Sequence, residues 1–242
     1  MNATTKNGVG QGIVTVNAGW NFSGQAAESF PEHVRRSIPS YEAGHRLVAE
    51  ISDFFVRPDS VAYELGTSHG ELLCALAKRH RQHAEVRWIG IDNEADMVAK
   101  ARALTADLNN VVIENADIVE YELAKSDLVV SYYCLQFIPP KQRQGVIDRI
   151  YDSLNWGGAF IWFEKVRGSD ARFQDIYSLL YTDFKLDQGF TADEVLAKSR
   201  SLKGTLEPFS SNANLDLLKR AGFVDVAPVF RHLCFEGVLA IK

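Results

Sequence analysis

The chain predicts an α/β fold: a mostly parallel sheet with an antiparallel last strand, a helical cover before it and a helical insertion near its end. Three observations predict it. Short apolar runs alternate with longer amphipathic ones from residue 61 to 163, the pattern of strands joined by helices. Several of the apolar runs are near-continuous, as a sheet covered on both faces requires. The alternation then gives way to a helical stretch without strands, and two final apolar runs flank Arg231-His232 as the arms of a hairpin. With 242 residues, 46% hydrophobic and 24% charged, the chain can bury the core of one large domain and is too apolar for general disorder.

The elements follow in order. Residues 1–19, which open on the polar, Gly-rich MNATTKNGVGQG, read as a flexible arm, and 20–242 as a single domain. The helical cover spans 20–58, broken at Pro39, with Leu47, Val48, Ile51, Phe54 and Phe55 recurring at helical spacing. Strand 61–65 leads to helix 71–80, and strand 86–91 to helix 94–108, which Asn109-Asn110 ends. Strands 111–114 and 128–131 come next, then helix 143–154, closed by Asn155-Trp156-Gly157-Gly158, and strand 159–163. The insertion runs from 170 to about 201. Helix 215–221 stops at Gly222, and the runs 223–230 and 233–241 supply the last two strands.

Composition narrows the function classes. Basic residues number 26 against 31 acidic, a net charge of −5, so no general cationic field exists for nucleic acid. The 3 cysteines are dispersed and odd in number, which argues against a disulfide framework and against zinc. No apolar stretch is long enough for a membrane span, and the first residues lack a signal peptide's apolar segment, so the expected compartment is the cytoplasm. The basic run Lys78, Arg79, His80, Arg81 and His83 closes a predicted helix, where it complements the dipole.

The chemistry concentrates where strands end. Tyr63-Glu64-Leu65-Gly66-Thr67-Ser68-His69-Gly70-Glu71 runs from a strand through a glycine loop into a helix. Gly66 and Gly70 allow close backbone approach, and the helix start offers free N–H groups. A G-x-G-x-x-G dinucleotide loop is absent; E-x-G-x-x-x-G is similar instead to the loop that holds the methionine part of S-adenosylmethionine (SAM), although an ordinary βα turn uses glycine too. Asp92, ending the next strand, suits ribose hydroxyls, and equally suits an N-cap for the following helix. Asp117, after the third strand, is placed for an adenine amino group or for a turn. Tyr132 and Tyr133, after the fourth, either pack as core or turn a ring toward a sulfonium. Strand order and motif together resemble the Rossmann-like class I methyltransferase fold.

A more specific resemblance rests on Trp20-Asn21-Phe22, Phe30-Pro31, Arg36-Ser37-Ile38-Pro39-Ser40-Tyr41, Leu135-Gln136-Phe137, Leu154-Asn155-Trp156-Gly157-Gly158, Glu164-Lys165, Asp183-Phe184-Lys185 and Ala221-Gly222-Phe223. These resemble the carboxy-SAM synthases over nearly the whole chain. The resemblance implies a cytoplasmic homodimer that makes carboxy-SAM from SAM and prephenate, for a partner enzyme acting on the wobble uridine of tRNA. It implies ligand contacts at Tyr41, Gly66, Thr67, Ser68, Asp92, Asn93, Asp117, Ile118 and Tyr132, with Glu64 as the first-strand acid. The sequence departs from the family at Glu64 for Asp, Thr67 for Cys, Tyr132 for Asn, and Tyr181-Thr182 for a His pair. Where the family's Arg-Ser grips the carboxylate of carboxy-SAM, an ungapped count gives Ser199-Arg200, while a compensated insertion would align Arg200-Ser201. On that ground the expected reaction is methyl transfer from SAM to a small molecule, with Tyr133, Tyr181 and Arg200 as substrate contacts and no metal. Carboxy-SAM synthesis, intramolecular cyclisation of SAM releasing methylthioadenosine, and a non-catalytic SAM-binding module are the alternatives.

Overall fold

The protein is described from a computed structural model covering residues 7–242. A short hairpin pairs β1 (Asn7–Gly8) with β2 (Val14–Thr15). The helices α1 (Gln25–Ser37) and α2 (Tyr41–Ser52) follow. Then come β3 (Val61–Leu65), α3 (Glu71–Arg79), β4 (Arg87–Asp92), α4 (Ala95–Leu104), β5 (Val111–Asn115), β6 (Ser126–Tyr132), α5 (Pro140–Ser153) and β7 (Leu154–Lys165). The insertion is α6 (Ala171–Asp187) and α7 (Ala192–Ser201); α8 (Ser211–Ala221), β8 (Asp225–His232) and β9 (Phe235–Ile241) complete the chain.

The main sheet has 7 strands in the order β5-β4-β3-β6-β7-β9-β8, with β9 antiparallel to both neighbours and β3 to β7 parallel. Alternate side chains of each parallel strand serve opposite faces. Ala62, Trp88, Leu128 and Ile161 pack with Val48 of α2, Leu72, Leu73 and Leu76 of α3 and Val98 of α4. Tyr63, Ile89, Val129 and Phe160 pack with Val146, Ile147 and Ile150 of α5 and Leu217 and Leu218 of α8. The order reverses between β3 and β6, so the crevice at their carboxyl ends is the switch point where ligands bind in open α/β sheets.

Several boundaries differ from the sequence reading, each for a local reason. The arm read over 1–19 is partly folded. Residues 1–6 lie outside the described residues, but from residue 7 the hairpin buries Val9 and Ile13 against Trp20, Ala26 and Ala197, and that apolar burial is what orders it. Helix α4 stops at Leu104, short of residue 108, because the backbone leaves the helical region at Thr105, the C-cap, with φ of −102° and ψ of 8°. The final turn falls at Leu233, whose φ is 51°, rather than at Arg231-His232, because both of those residues stay paired with β9. Strand β7 is longer than the expected 159–163. Its extension swings Trp156 out to 89% exposure beside Gly157, a residue with φ of 80°.

Candidate active site

A cavity of about 560 Å³ opens at the switch point. The loops after β3, β4, β5 and β6 form its floor, and α1, α2, α6, α7 and the segment around Trp20 form its roof. Among the residues singled out by sequence, Tyr41, Glu64, Gly66, Thr67, Ser68, Asp92, Asn93, Asp117, Ile118, Tyr132, Tyr133 and Tyr181 line it.

The β3 loop is held open to the cavity by its own bonds. Gly66 has φ of 74°, its N–H donates to the Ile91 carbonyl at 2.8 Å, and a Cβ there would collide with the Cys134 side chain. Gly70 is not among the lining residues. Its positive φ lets α3 start against Ala101, where a Cβ would sit at 3.0 Å. One Asp92 oxygen accepts the Ser68 N–H at 2.8 Å and the other accepts the Glu94 N–H at 2.9 Å. Asp92 thus holds the β3 loop and the turn ahead of α4 but does not cap that helix, whose N-cap is Glu94 without a side-chain bond, and further lone pairs are left on both oxygens. Glu64 accepts the Thr67 hydroxyl at 2.6 Å, and burial pushes its carboxyl up to about 8. Asp117 accepts the Val119 N–H at 2.9 Å, so it serves its own turn while facing the cavity.

Aromatic rings dominate the β6 side. The buried Tyr132 hydroxyl donates to the Tyr41 carbonyl at 2.7 Å, and its ring meets those of Tyr41, His45, Tyr133 and Phe163. Core packing and cavity lining are therefore combined in one side chain. Tyr133 sits at φ of 58°, an uncommon backbone for a bulky residue. Its N–H donates to the Phe163 carbonyl, and its own carbonyl accepts the Gln136 side chain, which is anchored in turn by the Lys165 N–H.

Arg200 is not brought to the cavity. Ala197 and Ser201 are the buried residues of α7, and Ser199 and Arg200 are exposed. At about 100° per residue, position 200 lies some 200° around the helix from position 198. Lys198 occupies the lining position, over the Trp20 ring. Lys165 and Lys198 went unassigned in the sequence reading. For Lys198 the available signal was a lysine beside a residue that helical periodicity buries; Lys165, ending a strand, offered none of that kind. His69 also reaches the cavity, with a buried Nε2 that has no hydrogen-bond partner. Among the described residues no cluster suited to a metal exists, and no helix is long and apolar enough to cross a membrane.

A methyltransferase-domain family matches residues 62–158. The chain is 37% identical to a carboxy-S-adenosyl-L-methionine synthase of Staphylococcus epidermidis over 224 residues, which cover 92% of this chain and 97% of that one. The chain belongs to the carboxy-SAM synthase family. A Campylobacter lari carboxy-S-adenosyl-L-methionine synthase is 32% identical, with 92% of this chain and 94% of that one covered. Among solved structures, human N-acetylserotonin methyltransferase in complex with SAM superposes with a TM-score of 0.58 at 18% identity, over 90% of this chain and 57% of that chain. That likeness is one of fold. Family and fold together make the protein a SAM-dependent enzyme of the class I methyltransferase fold.

Proposed function

We propose that the protein makes carboxy-SAM from SAM and a small carboxylate donor, prephenate being the donor its family resemblance implies. One observation carries this reading: the kinship covers 92% of the chain, so it takes in the roof elements as well as the sheet. The conversion replaces one hydrogen of the sulfonium methyl by a carboxyl group. Prephenate releases carbon dioxide and hydroxide as its ring becomes aromatic, leaving phenylpyruvate, and the hydroxide leaves with the methyl proton as water.

The chain's residues act by position and charge. The backbone at Gly66, Thr67 and Ser68 receives the methionine part of SAM, and the buried Glu64 carboxyl meets its ammonium group, which draws the proton off Glu64. Asp92, with Asn93, takes the ribose hydroxyls. Asp117 accepts from the adenine amino group, and Ile118 covers the base. Tyr41, Tyr132 and Tyr133 turn rings toward the sulfonium, where an aromatic face attracts a cation. The unpartnered His69 Nε2 and the open Asp92 lone pairs are features that a polar ligand would satisfy.

A second reading, methyl transfer to a small-molecule acceptor, is favoured by the exposure of Arg200 and by Tyr132 standing where the family has Asn. Two measurements test these assignments. Calorimetry with SAM should give a binding heat that Gly66→Val and Asp92→Ala abolish; undiminished binding in both refutes the site. Mass spectrometry should find carboxy-SAM from SAM plus prephenate and none from SAM alone. Absence of carboxy-SAM, or methylthioadenosine formed by the enzyme from SAM alone, overturns the proposed reaction.

A further inference from the structure

Three lysines meet at one end of the cavity without an acidic partner. Lys165 ends β7, Lys185 lies in the last turn of α6, and Lys198 is on α7. The Lys165 and Lys185 ammonium groups lie 4.1 Å and 4.5 Å from the centre of the same Tyr181 ring. Lys198 lies over Trp20. Lys165 and Lys198 line the main cavity, while Lys185 and Lys198 line a small void behind it. Lys185 is buried and Lys165 and Lys198 are half-buried, whereas lysine is almost never buried unless paired. Yet among the described residues none of these ammonium groups has an ion pair or hydrogen bond.

One acid borders the cluster, and it forms an ion pair with none of the three. Glu194 borders the void, but one of its oxygens is committed to the Thr191 N–H and hydroxyl in the cap of α7. Arg36 stacks on Phe190 and donates to the Gln188 carbonyl. His33 is pushed down to about 3 by burial and by Lys198, and so is uncharged, while burial holds the Cys234 thiol protonated. The lysines shift accordingly. Burial and then Lys165 bring Lys185 down to about 7, and burial and then Lys185 hold Lys198 well below the ordinary lysine range. A cluster of like charges with its counterion missing is an anion site.

We infer that Lys165, Lys185 and Lys198 form a recessed anion subsite, and that the second substrate presents a carboxylate to it while its apolar body lies against Tyr181, Trp20 and Phe235. This rests on the reading that the cavity works on SAM together with a second small molecule. It assigns to lysines from three elements the anion-holding task that Arg200, facing solvent, does not perform here.

The test is a binding titration without turnover. Phenylpyruvate is titrated by calorimetry into the full-length protein saturated with S-adenosylhomocysteine, beside phenylacetone, which keeps the ring and ketone and lacks the carboxylate. Phenylpyruvate should bind, and phenylacetone should bind at least about tenfold more weakly, as loss of a charge-assisted pair predicts. Lys165→Met and Lys198→Met should each weaken phenylpyruvate by about tenfold or more and leave S-adenosylhomocysteine within about twofold, the latter also showing that the variants fold. Equal affinity for the two probes, or undiminished phenylpyruvate binding in both variants, overturns the subsite. Because nothing reacts in this titration, its outcome is independent of whether carboxy-SAM is the product.

Discussion

Tyr132 is the residue whose role changed most on going from sequence to structure. Its spacing after the fourth strand left core packing and ligand lining open, and the structure gives it both, because one glycine makes room. A Cβ on Gly44 would fall within the Tyr132 hydroxyl. Replacing a mid-helix glycine by alanine ordinarily stabilises by about 1 kcal/mol. Here the sign should reverse. Gly44→Ala is expected to cost about 2 kcal/mol or more in urea denaturation, since the ring must leave its place and its bond to the Tyr41 carbonyl. Tyr132→Phe, which removes the colliding oxygen, should recover part of that loss in the double variant. Strictly additive effects would refute the coupling. The floor of the site was legible because its residues are tied to strand ends, where glycines and acids announce themselves. The lysines of the roof were not, because a long cationic side chain on a helix ordinarily reads as solvated, and only the packing of three elements shows otherwise.

At the scale of elements, the strands and helices could be read because each parallel strand is apolar on both faces and each helix on one. The misplacements came where local backbone or packing outweighs pattern: the non-helical turn at Thr105 ending α4, and Ala197 with Ser201 setting which side of α7 faces in. That last phase decides that position 198 and not 200 reaches the cavity, something a count along the sequence could not resolve. Helix α6 carries a further consequence. Phe173, Ile176, Leu179 and Leu180 stand 47%, 42%, 67% and 45% exposed along it, an apolar stripe that two copies could bury against one another about a two-fold axis. A homodimer is therefore expected by light scattering, and Leu179→Glu with Ile176→Glu should shift it to monomer. A wild-type monomer at high concentration would refute this.

For the whole molecule, the buried charges set an unusual response to pH. Lys185 has a folded value of about 7 against an ordinary 10.5, so above pH 7 the unfolded chain binds the extra proton and stability rises with pH toward 10.5. Lys165 and Lys198 shift in the same direction. Glu64 and Glu164, raised from 4.5 to about 8, lower stability only as pH climbs between those values. His33 and His45, lowered to about 3 and about 4, have exhausted their effect by pH 6.5. Between pH 8 and 9 the lysines act against the Cys134 and Cys234 thiols, which burial raises above their ordinary 9.0 and which begin to lower stability there. Lys185 alone should contribute about 1.4 kcal/mol per pH unit to the ligand-free protein. That corresponds to roughly 3 °C in melting temperature for a chain of this size. Scanning calorimetry should find the change from pH 8 to 9 less favourable in Lys185→Met than in the wild type by about that amount; an identical change in the two would contradict the assignment.

The N-terminal hairpin sets a clock. The segment joining it to α1 is stitched to the end of α7 by two backbone bonds, Ala18 N–H to the Arg200 carbonyl at 3.0 Å and Trp20 N–H to the Ser201 carbonyl at 3.2 Å. Beneath that seam Val9, Ile13, Trp20, Ala26 and Ala197 close together, and Trp20 and Lys198 both line the cavity. A nucleoside leaving past this roof would have to wait for the seam to part, which would make residence time a property of residues 9–20 as much as of the strand ends. Ala18→Pro, which removes one of the two N–H donors and cannot adopt the φ of 53° found there, should open the seam and shorten the lifetime of bound S-adenosylhomocysteine in stopped-flow displacement, with association accelerated alongside. Unaltered rates in both directions would mean that the ligand passes by another door.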